Sequence, residues 1–213
     1  MLTICLFGPD GSGKSTLAKA LVKRFSSYGF RVRLSWMRGT HTFASVLARI
    51  LSTFAAFKGF DSPYYLISIP KTFRRPWQLL EFTSILPILI MRFLLPNILS
   101  YIVIAERYIP DFIAWVTTTT QDPDYPKSFI AKFLIALSLK AEVKVYVTAD
   151  PSELLRRRRE LDEVFLTEQV KIYERLAKSI SAFKLDTTYK SVEESLRELL
   201  SELGPCIEET QRS

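Results

Sequence analysis

The chain has 213 residues, and 48% of them are apolar. This amount of apolar sequence supports one domain with a substantial core and excludes an intrinsically disordered chain. The 29 Lys and Arg residues outnumber the 22 Asp and Glu residues, and the net charge of +7 is compatible with an anionic partner: a nucleotide, a nucleic acid or an acidic membrane surface. Two cysteines and one histidine, His41, are too few for a Cys- or His-rich metal site.

The first part of the chain has the pattern of a βαβ unit. Residues 2–7, LTICLF, form a continuous apolar run that is typical of a strand buried on both faces. Residues 15–28 repeat apolar side chains at helical spacing, and Gly29 predicts the end of that helix. Residues 31–37 are the next predicted strand. A strand, a glycine loop, a helix and a second strand in this order predict an α/β fold with a parallel sheet.

The middle of the chain is more apolar. Residues 43–57 have a helical pattern, whereas prolines interrupt residues 59–76. Residues 77–95 predict a very apolar helix that is kinked at Pro87. Residues 100–105, SYIVIA, predict a strand.

The second half continues to alternate helices and strands. Helices are predicted over residues 110–118, 128–138, 167–180 and 191–203, and strands over residues 142–148 and 182–186. Asp150 and Pro151 have the order of a helix N-cap and first turn, and Ser191 and Glu194 have the spacing of a capping box. We predict a frayed tail over residues 204–213. No internal repeat or linker is visible, so residues 1–213 are predicted to form a single domain.

The glycine loop FGPDGSGKST, at residues 7–16, matches the phosphate-loop pattern G-x-x-x-x-G-K-[ST] in its required context, between a buried strand and a helix. Glycines let main-chain N–H groups form an anion nest, and the helix N-terminus adds its positive end. Lys14 would reach the β- and γ-phosphates, and Ser15 would offer its hydroxyl to Mg²⁺. The residues predicted to bind ATP are Gly8, Pro9, Asp10, Gly11, Ser12, Gly13, Lys14, Ser15 and Thr16. An ordinary glycine turn is the alternative, and ATP is favoured over GTP because no guanine-selecting motif stands near the late strand.

Glu106 and Arg107 follow the predicted strand over residues 100–105. Ligands of open parallel sheets bind beyond the carboxyl ends of the strands, so both side chains are predicted beside the phosphate loop. The Glu106 carboxylate could hold Mg²⁺, and the Arg107 guanidinium could clamp the phosphate of a second substrate. A structural ion pair at the end of the strand is the alternative.

Four consecutive arginines, residues 156–159, precede the acidic stretch ELDE. Four adjacent side chains point around a whole helix, so they cannot all serve one face. A solvated helix with i,i+4 ion pairs is one interpretation. We favour the other, a basic lid over residues 152–165, in which one or two inward arginines neutralise a transferring phosphoryl group.

These pieces, in this order, resemble the thymidylate kinase family of P-loop nucleoside monophosphate kinases. GPDGSGKST resembles the family's phosphate loop, ERYIPDFIAW its D-R-Y segment, and VYVTADPSELLRRRRELDE its strand, Asp-Pro turn and lid. YERLAKSI and KLDTTYKSVEES resemble its next helix and its last strand and helix. The resemblance implies a three-layer P-loop NTPase fold: a parallel sheet of about five strands with flanking helices, acceptor-side helices over about residues 40–98, and a small lid.

The resemblance also implies roles for individual residues. The implied catalytic residues are Lys14, Arg107, Arg156, Arg157, Arg158 and Arg159. The implied acceptor-binding residues are Asp10, Arg38 and Arg107. Ser15 and Glu106 are implied to bind the cofactor Mg²⁺. The implied partners are ATP, a nucleoside monophosphate and a second copy of the chain in a homodimer. Because no signal peptide precedes the first apolar run, we expect a reducing, cytoplasmic compartment.

Three departures from the family's pattern bear on the acceptor. Glu106 replaces the usual aspartate, and the glycine-rich turn that normally follows the second-strand arginine is absent after Arg38. The helix before the third strand lacks the family's base-reading arginine and is apolar at Ile85 and Leu86. Candidates for that role are Phe73, Arg74, Arg75, Trp77 and Arg92.

The apolar stretch over residues 85–104 has about the length of a membrane span. Pro96 and Asn97 interrupt it and predict a boundary between a helix and a strand. The resemblance implies a core helix followed by the central strand, so we predict no transmembrane segment. Surplus apolar surface on this helix could contact a second copy of the chain or a membrane surface.

The hypothesis from the sequence is an ATP-dependent, Mg²⁺-requiring kinase that phosphorylates a nucleoside monophosphate, with dTMP as the first choice. One alternative is a P-loop kinase of another acceptor, including a lipid-linked one. Another is a nucleotide-binding module without acceptor chemistry. A nucleic-acid role ranks last, because no surface with basic and aromatic residues in alternation is predicted.

Overall fold

The structure is a computed structural model, which describes residues 2–37, 43–54, 57, 67–138, 141, 143–158 and 163–212. For residues 205–212 it describes the backbone alone. In this part of the chain, five parallel strands form one sheet in the order β2-β3-β1-β4-β5. The strands are β1 (Thr3–Phe7), β2 (Val32–Trp36), β3 (Ile102–Glu106), β4 (Val143–Thr148) and β5 (Phe183–Asp186). Because β3 and β4 flank β1, the loops that follow these three strands meet at one edge of the sheet.

The described α-helices alternate with these strands. They are α1 (Lys14–Ser27), α2 (Phe43–Leu51), α3 (Arg74–Leu89), α4 (Leu95–Ile98), α5 (Ile109–Thr119), α6 (Phe129–Ser138), α7 (Pro151–Arg157), α8 (Glu163–Ser179) and α9 (Val192–Arg212). A π-helical turn, Ile90–Leu94, joins α3 to α4, and a 3₁₀ turn, Lys71–Phe73, precedes α3. Together these segments make one continuous helix, Lys71–Ile98, which we call the long helix.

Helices cover both faces of the sheet, so the predicted three-layer α/β fold is confirmed. Side chains of a strand alternate between the faces: Cys5 and Phe7 pack under α2, α3, α5, α6 and α8, and Ile4 and Leu6 pack under α1 and α9. Every residue of β1 is buried. This burial on both faces is the physical reason for the continuous apolar run that predicted the strand.

Two predicted helix starts are confirmed. The Asp150 carboxylate accepts a hydrogen bond from the Ser152 N–H at 3.0 Å and caps α7. The Glu194 N–H donates to Ser191 Oγ at 3.2 Å, and the Ser191 N–H donates to the Glu194 carboxylate at 2.7 Å. This is the reciprocal capping box at the start of α9.

The frayed tail predicted over residues 204–213 is wrong for the described backbone, since α9 runs to Arg212. Leu199 and Leu203 are fully buried and hold the helix on the sheet up to that point. The glycine at position 204 permits a helix to end but does not force it to.

The boundary between a helix and a strand that was predicted at Pro96 and Asn97 is confirmed, since the long helix ends at Ile98 and β3 begins at Ile102. Pro96 lies in the first turn of α4, directly after the π-helical turn. A proline is tolerated there because the local change of helical pitch already alters the main-chain hydrogen bonds.

The long helix is the one described helix whose length and hydropathy would suit a membrane span, and 33% of its most apolar window is buried in the protein. Its inner face contributes Trp77, Ile85, Leu89 and Phe93 to the core of the sheet. Core helices satisfy the same criteria of length and composition as spans. The contacts of the inner face make this helix part of the domain.

Candidate active site

The loop between β1 and α1 has the backbone of an anion nest. Gly11 and Gly13 both have φ of 88°, in the left-handed region, and Gly13 is the N-cap of α1. The first-turn N–H groups of α1 therefore open toward the loop without a side-chain cap. Such a helix start combines unsatisfied donors with the positive end of the helix dipole and is suited to phosphate.

Gly8 is required by close packing against the neighbouring strand. Its φ is 142°, and a Cβ atom built on it would lie 2.1 Å from the Val147 carbonyl oxygen of β4. No side chain fits at that distance from a main-chain atom. The start of the loop is therefore held directly against the sheet.

Lys14 is buried in the loop, with 4% of its surface exposed. Its Nζ donates to the Pro9 carbonyl oxygen at 2.5 Å and to Ser12 Oγ at 3.2 Å. Burial, followed by the nearby Arg107 guanidinium, lowers the pKa of Lys14 to about 7. An anion entering the loop would reverse this effect by stabilising the charged ammonium group.

Glu106 lies at the end of β3, directly opposite Leu6 of β1 in the sheet register. Its Oε1 accepts a hydrogen bond from Ser15 Oγ, the first hydroxyl of α1. The two oxygen-bearing side chains predicted to hold a metal are thus in contact, and Ser15 directly follows Lys14 in sequence. This pairing follows from the adjacency of β1 and β3 in the sheet.

Arg107 adopts a left-handed backbone conformation, with φ of 69°. A residue with a side chain pays about 1–2 kcal/mol for this conformation, which here aims the guanidinium at the phosphate loop. The guanidinium forms an ion pair with Asp10 and lies 3.4 Å from the Asp111 carboxylate. Burial disfavours its charge, but Asp111 and Asp10 together raise the pKa of Arg107 above its ordinary value.

Asp111 is a site residue that sequence reasoning missed. It is 5% exposed, and its carboxylate accepts from the N–H groups of Tyr108 at 3.1 Å and Gly8 at 3.5 Å and from the Tyr173 hydroxyl at 3.0 Å. Asp111 therefore connects the phosphate loop, the arginine and α8. Asp111 stands three positions after Tyr108, the N-cap of α5, and this spacing could have predicted that it caps the helix. The spacing does not predict the contacts of Asp111 with Gly8, Arg107 and Tyr173.

The arginines of α7 divide into different environments. Arg157 donates to the Gly11 carbonyl oxygen at 3.2 Å and to the Thr187 carbonyl oxygen at 3.0 Å. Arg156 and Arg157 both pair with Glu153, at 2.7 Å and 2.8 Å, but the Arg156 side chain is 72% exposed and the Arg157 side chain 28%. Together the two arginines lower the pKa of Glu153 to about 2, with Arg156 making the larger contribution. Arg158, which follows α7, lines a cleft above the phosphate loop together with Arg157.

A cleft of about 430 Å³ opens above the loop. Phosphate-loop residues line it together with Arg107, Arg157, Arg158, Thr187 and Lys190. Its lining is rich in cations, with Asp10 as the acidic member. Thr187, another residue that sequence reasoning missed, places its Oγ1 3.1 Å from the Ser12 carbonyl oxygen and so joins the end of β5 to the loop.

None of the described candidates for base recognition lines this cleft. Arg38 and Arg159 lie outside the described residues. Among the candidates for base recognition, Trp77 is buried in the core, and Arg92 donates to the Trp36 carbonyl oxygen at 3.1 Å and lies over the Trp36 ring. Phe73 and Arg75 are exposed at the start of the long helix, where Arg74 is partly buried.

The oxygen atoms of Ser15 and Glu106 fit a magnesium ion of the kind that nucleotides bring with them. Mg²⁺ keeps several waters and takes one or two protein oxygens in addition to phosphate oxygens. In the described part of the chain, no group of three or more His, Cys, Asp or Glu side chains could form a protein-only metal cage. The contact between the Ser15 hydroxyl and the Glu106 carboxylate therefore fits Mg²⁺ that is also bound by phosphate oxygens and waters, and does not fit a structural metal held by protein side chains alone.

Comparisons with known proteins place this fold. No family model and no curated protein matches the sequence. Among solved structures, the chain is similar to thymidylate kinase from Candida albicans, with a TM-score of 0.65 and 17% sequence identity. The similarity covers 96% of this chain and 91% of that one. The five-stranded parallel sheet with helices on both faces is therefore the fold of P-loop kinases such as thymidylate kinase.

Proposed function

We propose that the protein is an ATP-dependent phosphotransferase whose acceptor is a nucleoside monophosphate, with dTMP as the first choice. The observation that carries this proposal is the assembly at one edge of the sheet. The Lys14 loop, the Ser15–Glu106 contact and the Asp10–Arg107 ion pair meet where β1 and β3 end. Main-chain donors, a metal-binding pair and a guanidinium are the parts that phosphoryl transfer requires.

On the donor side, the loop amides and Lys14 bind the β- and γ-phosphates of ATP. The Lys14 ammonium group exchanges its contact with the Pro9 carbonyl oxygen for phosphate oxygens. Ser15 and Glu106 hold Mg²⁺, which supplies charge neutralisation on the phosphates when it is bound. These groups are preorganised in the fold, so little reorganisation is needed when charge shifts from one phosphate to another.

On the acceptor side, Arg107 binds the phosphate of the monophosphate. Its planar guanidinium matches a phosphate bidentately, and Asp111 keeps it oriented from behind. Asp10 holds the guanidinium in the free protein and would turn to the acceptor sugar when a phosphate arrives. In the reaction an acceptor phosphate oxygen forms a bond to the γ-phosphorus of ATP while the bond between that phosphorus and the β,γ-bridging oxygen breaks, and ADP leaves with this oxygen.

The α7 arginines stabilise the transferring group in this proposal. Arg157 and Arg158 line the cleft, whereas the Arg156 side chain is 72% exposed and is not part of the lining. We therefore assign the role predicted for the lid to the first two. Arg159 and Arg38 keep their predicted roles as proposals.

A coupled assay of ADP release over dTMP, dUMP, UMP, CMP and AMP tests the proposal. A panel is appropriate because the structure of the Candida albicans thymidylate kinase is described in terms of broad substrate specificity. We expect magnesium-dependent ADP release that requires one of these acceptors and yields the nucleoside diphosphate. ATP binding without diphosphate formation from any of them would reject this acceptor class.

A second candidate is a nucleotide-binding module that has no acceptor chemistry. The observation that favours it is the double pairing of Arg107, which faces both Asp10 and Asp111. Tight, magnesium-dependent ATP binding with no turnover on any monophosphate would support this candidate. The same panel therefore separates the monophosphate kinase from the nucleotide-binding module. A kinase of another acceptor would instead hydrolyse ATP slowly with every monophosphate, and its true acceptor would accelerate ADP release. Homodimer formation and a cytoplasmic location stay predictions.

A further inference from the structure

A second cavity, of about 740 Å³, lies between the C-terminal half of α5 and the helix α8. Thr117 and Thr118 line it on α5, and side chains between Glu168 and Ser179 line it on α8. The loop after α5 and Ile135 of α6 complete the wall. No described residue lines both this α5–α8 cavity and the cleft above the phosphate loop. Its volume lies within the usual range of small-molecule sites, about 300–1,000 Å³.

The floor of the α5–α8 cavity is apolar. Leu176 is 3% exposed, and Ile172 and Ile135 are partly buried and pack against the core. Pro123 and Pro126 of the loop add two rigid apolar surfaces. Such a floor covers the apolar body of a ligand but offers it no hydrogen bond.

The α8 side of the cavity is basic. Lys171 and Arg175 are spaced i,i+4, so they lie on one face of the helix, and both line the cavity. Both are exposed, and toward the rest of the described chain neither side chain forms an ion pair or a hydrogen bond. Like charges at this spacing destabilise a helix. An anion bound between the two side chains would therefore relieve a repulsion that is present in the free protein.

Acidic groups near the cavity compensate only part of this charge. Lys127, the third cation of the lining, pairs with Asp124 at 2.8 Å. Asp122 accepts a hydrogen bond from Gln78 Nε2 of the long helix at 2.7 Å and is not part of the wall. Glu168 is the one acidic side chain among the described lining residues. The two α8 cations therefore face a single carboxylate.

Three hydroxyl groups around the cavity already act as donors. Thr117, Thr118 and Ser179 each donate to a main-chain carbonyl oxygen one turn earlier in their own helices. Their oxygen atoms can still accept hydrogen bonds, and the exposed Gln121 amide can donate or accept. These groups suit the polar atoms of a ligand's body, whereas its negative charge belongs on the basic α8 side.

The cavity lies close to the contact that positions Arg107. On α8, Tyr173 stands between the two cations in sequence, and its hydroxyl donates to the Asp111 carboxylate at 3.0 Å. That carboxylate lies 3.4 Å from the Arg107 guanidinium. Asp111 precedes Thr117 by six residues on α5, which is roughly 9 Å along the helix. A ligand in the cavity would therefore contact the same two helices that hold the guanidinium.

We propose that the α5–α8 cavity is a second ligand site, which binds a small organic anion. The acidic group lies between Lys171 and Arg175, where a planar guanidinium suits a phosphate or a carboxylate. The apolar or aromatic body covers the floor formed by Ile172 and Leu176. The described lining contains no glycine loop and no metal-binding pair, so polyphosphates are expected in the cleft and not here. This proposal does not depend on the proposed kinase activity.

Fluorescence titration of the full chain with anilinonaphthalene sulfonate tests the proposal, because this probe joins an aromatic body to one anionic group. Phenylnaphthylamine has the same rings without the sulfonate and serves as the neutral control. We expect saturable binding of the sulfonate that weakens with salt and persists at saturating MgATP. Binding of the neutral compound should be much weaker.

Lys171→Gln/Arg175→Gln should weaken sulfonate binding by at least about tenfold, the order of one charge-assisted hydrogen bond. The matched control is Lys132→Gln/Lys178→Gln, which removes the same charge from exposed positions of α6 and α8 outside the cavity wall. This control should bind the sulfonate like the wild type. Glu168→Gln should strengthen binding by about twofold, because it removes the single acid of the lining.

Equal binding of the two dyes, or equal losses in the double variant and its control, would overturn the proposal. The absence of saturable sulfonate binding would also overturn it, and so would displacement by MgATP, which would place the dye in the phosphate cleft. Phenyl phosphate and benzoate carry different acidic groups on the same ring. The one that displaces the sulfonate at the lower concentration identifies the preferred acidic group, whereas failure of both would contradict an anion site.

Discussion

Gly8→Ala is expected to destabilise the protein far more than Gly29→Ala, although both glycines have positive φ angles. The new methyl group at position 8 would lie 2.1 Å from the Val147 carbonyl oxygen, whereas nothing lies within 4 Å of the same atom at position 29. Backbone strain costs about 1–3 kcal/mol at either position. Position 8 adds about 1–3 kcal/mol for overpacking, because the obstacle is the main chain of β4 and cannot rotate away.

The melting temperatures of the two variants measure this difference directly. In a protein of this size each kcal/mol lowers the melting temperature by about 2–4 °C, so Gly8→Ala should melt roughly 2–12 °C below Gly29→Ala. The assay is circular dichroism at neutral pH with one heating rate for both proteins. Equal melting temperatures would show that the start of the loop is not held against β4, and the geometry of the phosphate site would then lose its basis.

Three further predictions concern charge in the cleft. At pH 8, ATP binding should be accompanied by uptake of a proton, because Lys14 has a pKa of about 7 and is mostly neutral until phosphate stabilises its charged form. Calorimetry in buffers of different ionisation enthalpy measures this uptake, and Lys14→Met should abolish it. Arg157→Gln should weaken ATP binding by about tenfold, the order of one charge-assisted hydrogen bond, while the exposed Arg156→Gln matches the wild type; equal losses in titration would refute the division of the run. Asp111→Asn should raise the KM for the acceptor with little change for ATP, and Tyr173→Phe should have a smaller effect in the same direction; an unchanged acceptor KM would contradict the positioning role.

The parts of the site that could be predicted from sequence are those fixed by local structure. The phosphate loop depends on glycine backbone freedom and on a strand before it and a helix after it, and all of these are visible in residues 2–28. The contact between Ser15 and Glu106 needed one more step. Two buried strands in an α/β pattern predict a shared sheet edge, and the register of β1 with β3 brings the two side chains together.

The parts that escaped prediction depend on tertiary packing. The sequence RRRR does not indicate which side chains face the cleft, because this depends on how α7 is rotated about its axis relative to the phosphate loop. Arg156 and Arg157 both pair with Glu153 one turn earlier, and Arg157 also reaches the Gly11 and Thr187 carbonyl oxygens. The left-handed φ of Arg107 has no sequence signal either, since glycine and asparagine are the residues expected in that conformation.

The long helix shows a third kind of limit. Its composition alone suited a membrane span, and the family resemblance implied a core helix, which the contacts of the inner face confirm. The positions of the outward side chains depend on the π-helical turn, which follows Pro87 and shifts the helical phase of everything after it. A uniform helical projection of the sequence would therefore assign part of the second half to the wrong face.

The two cations at the centre of the site are compensated in different ways while no phosphate is bound. The charge of Lys14 is reduced by loss of its proton, since burial lowers the pKa of Lys14 to about 7. Arg107 keeps its proton and is compensated by Asp10 and Asp111, which raise its pKa. A ligand must therefore supply negative charge for Lys14 and compete with a carboxylate for Arg107. Polyanionic phosphates meet both conditions, whereas a neutral nucleoside meets neither, so the electrostatics of the cleft favour phosphorylated ligands before any base is recognised.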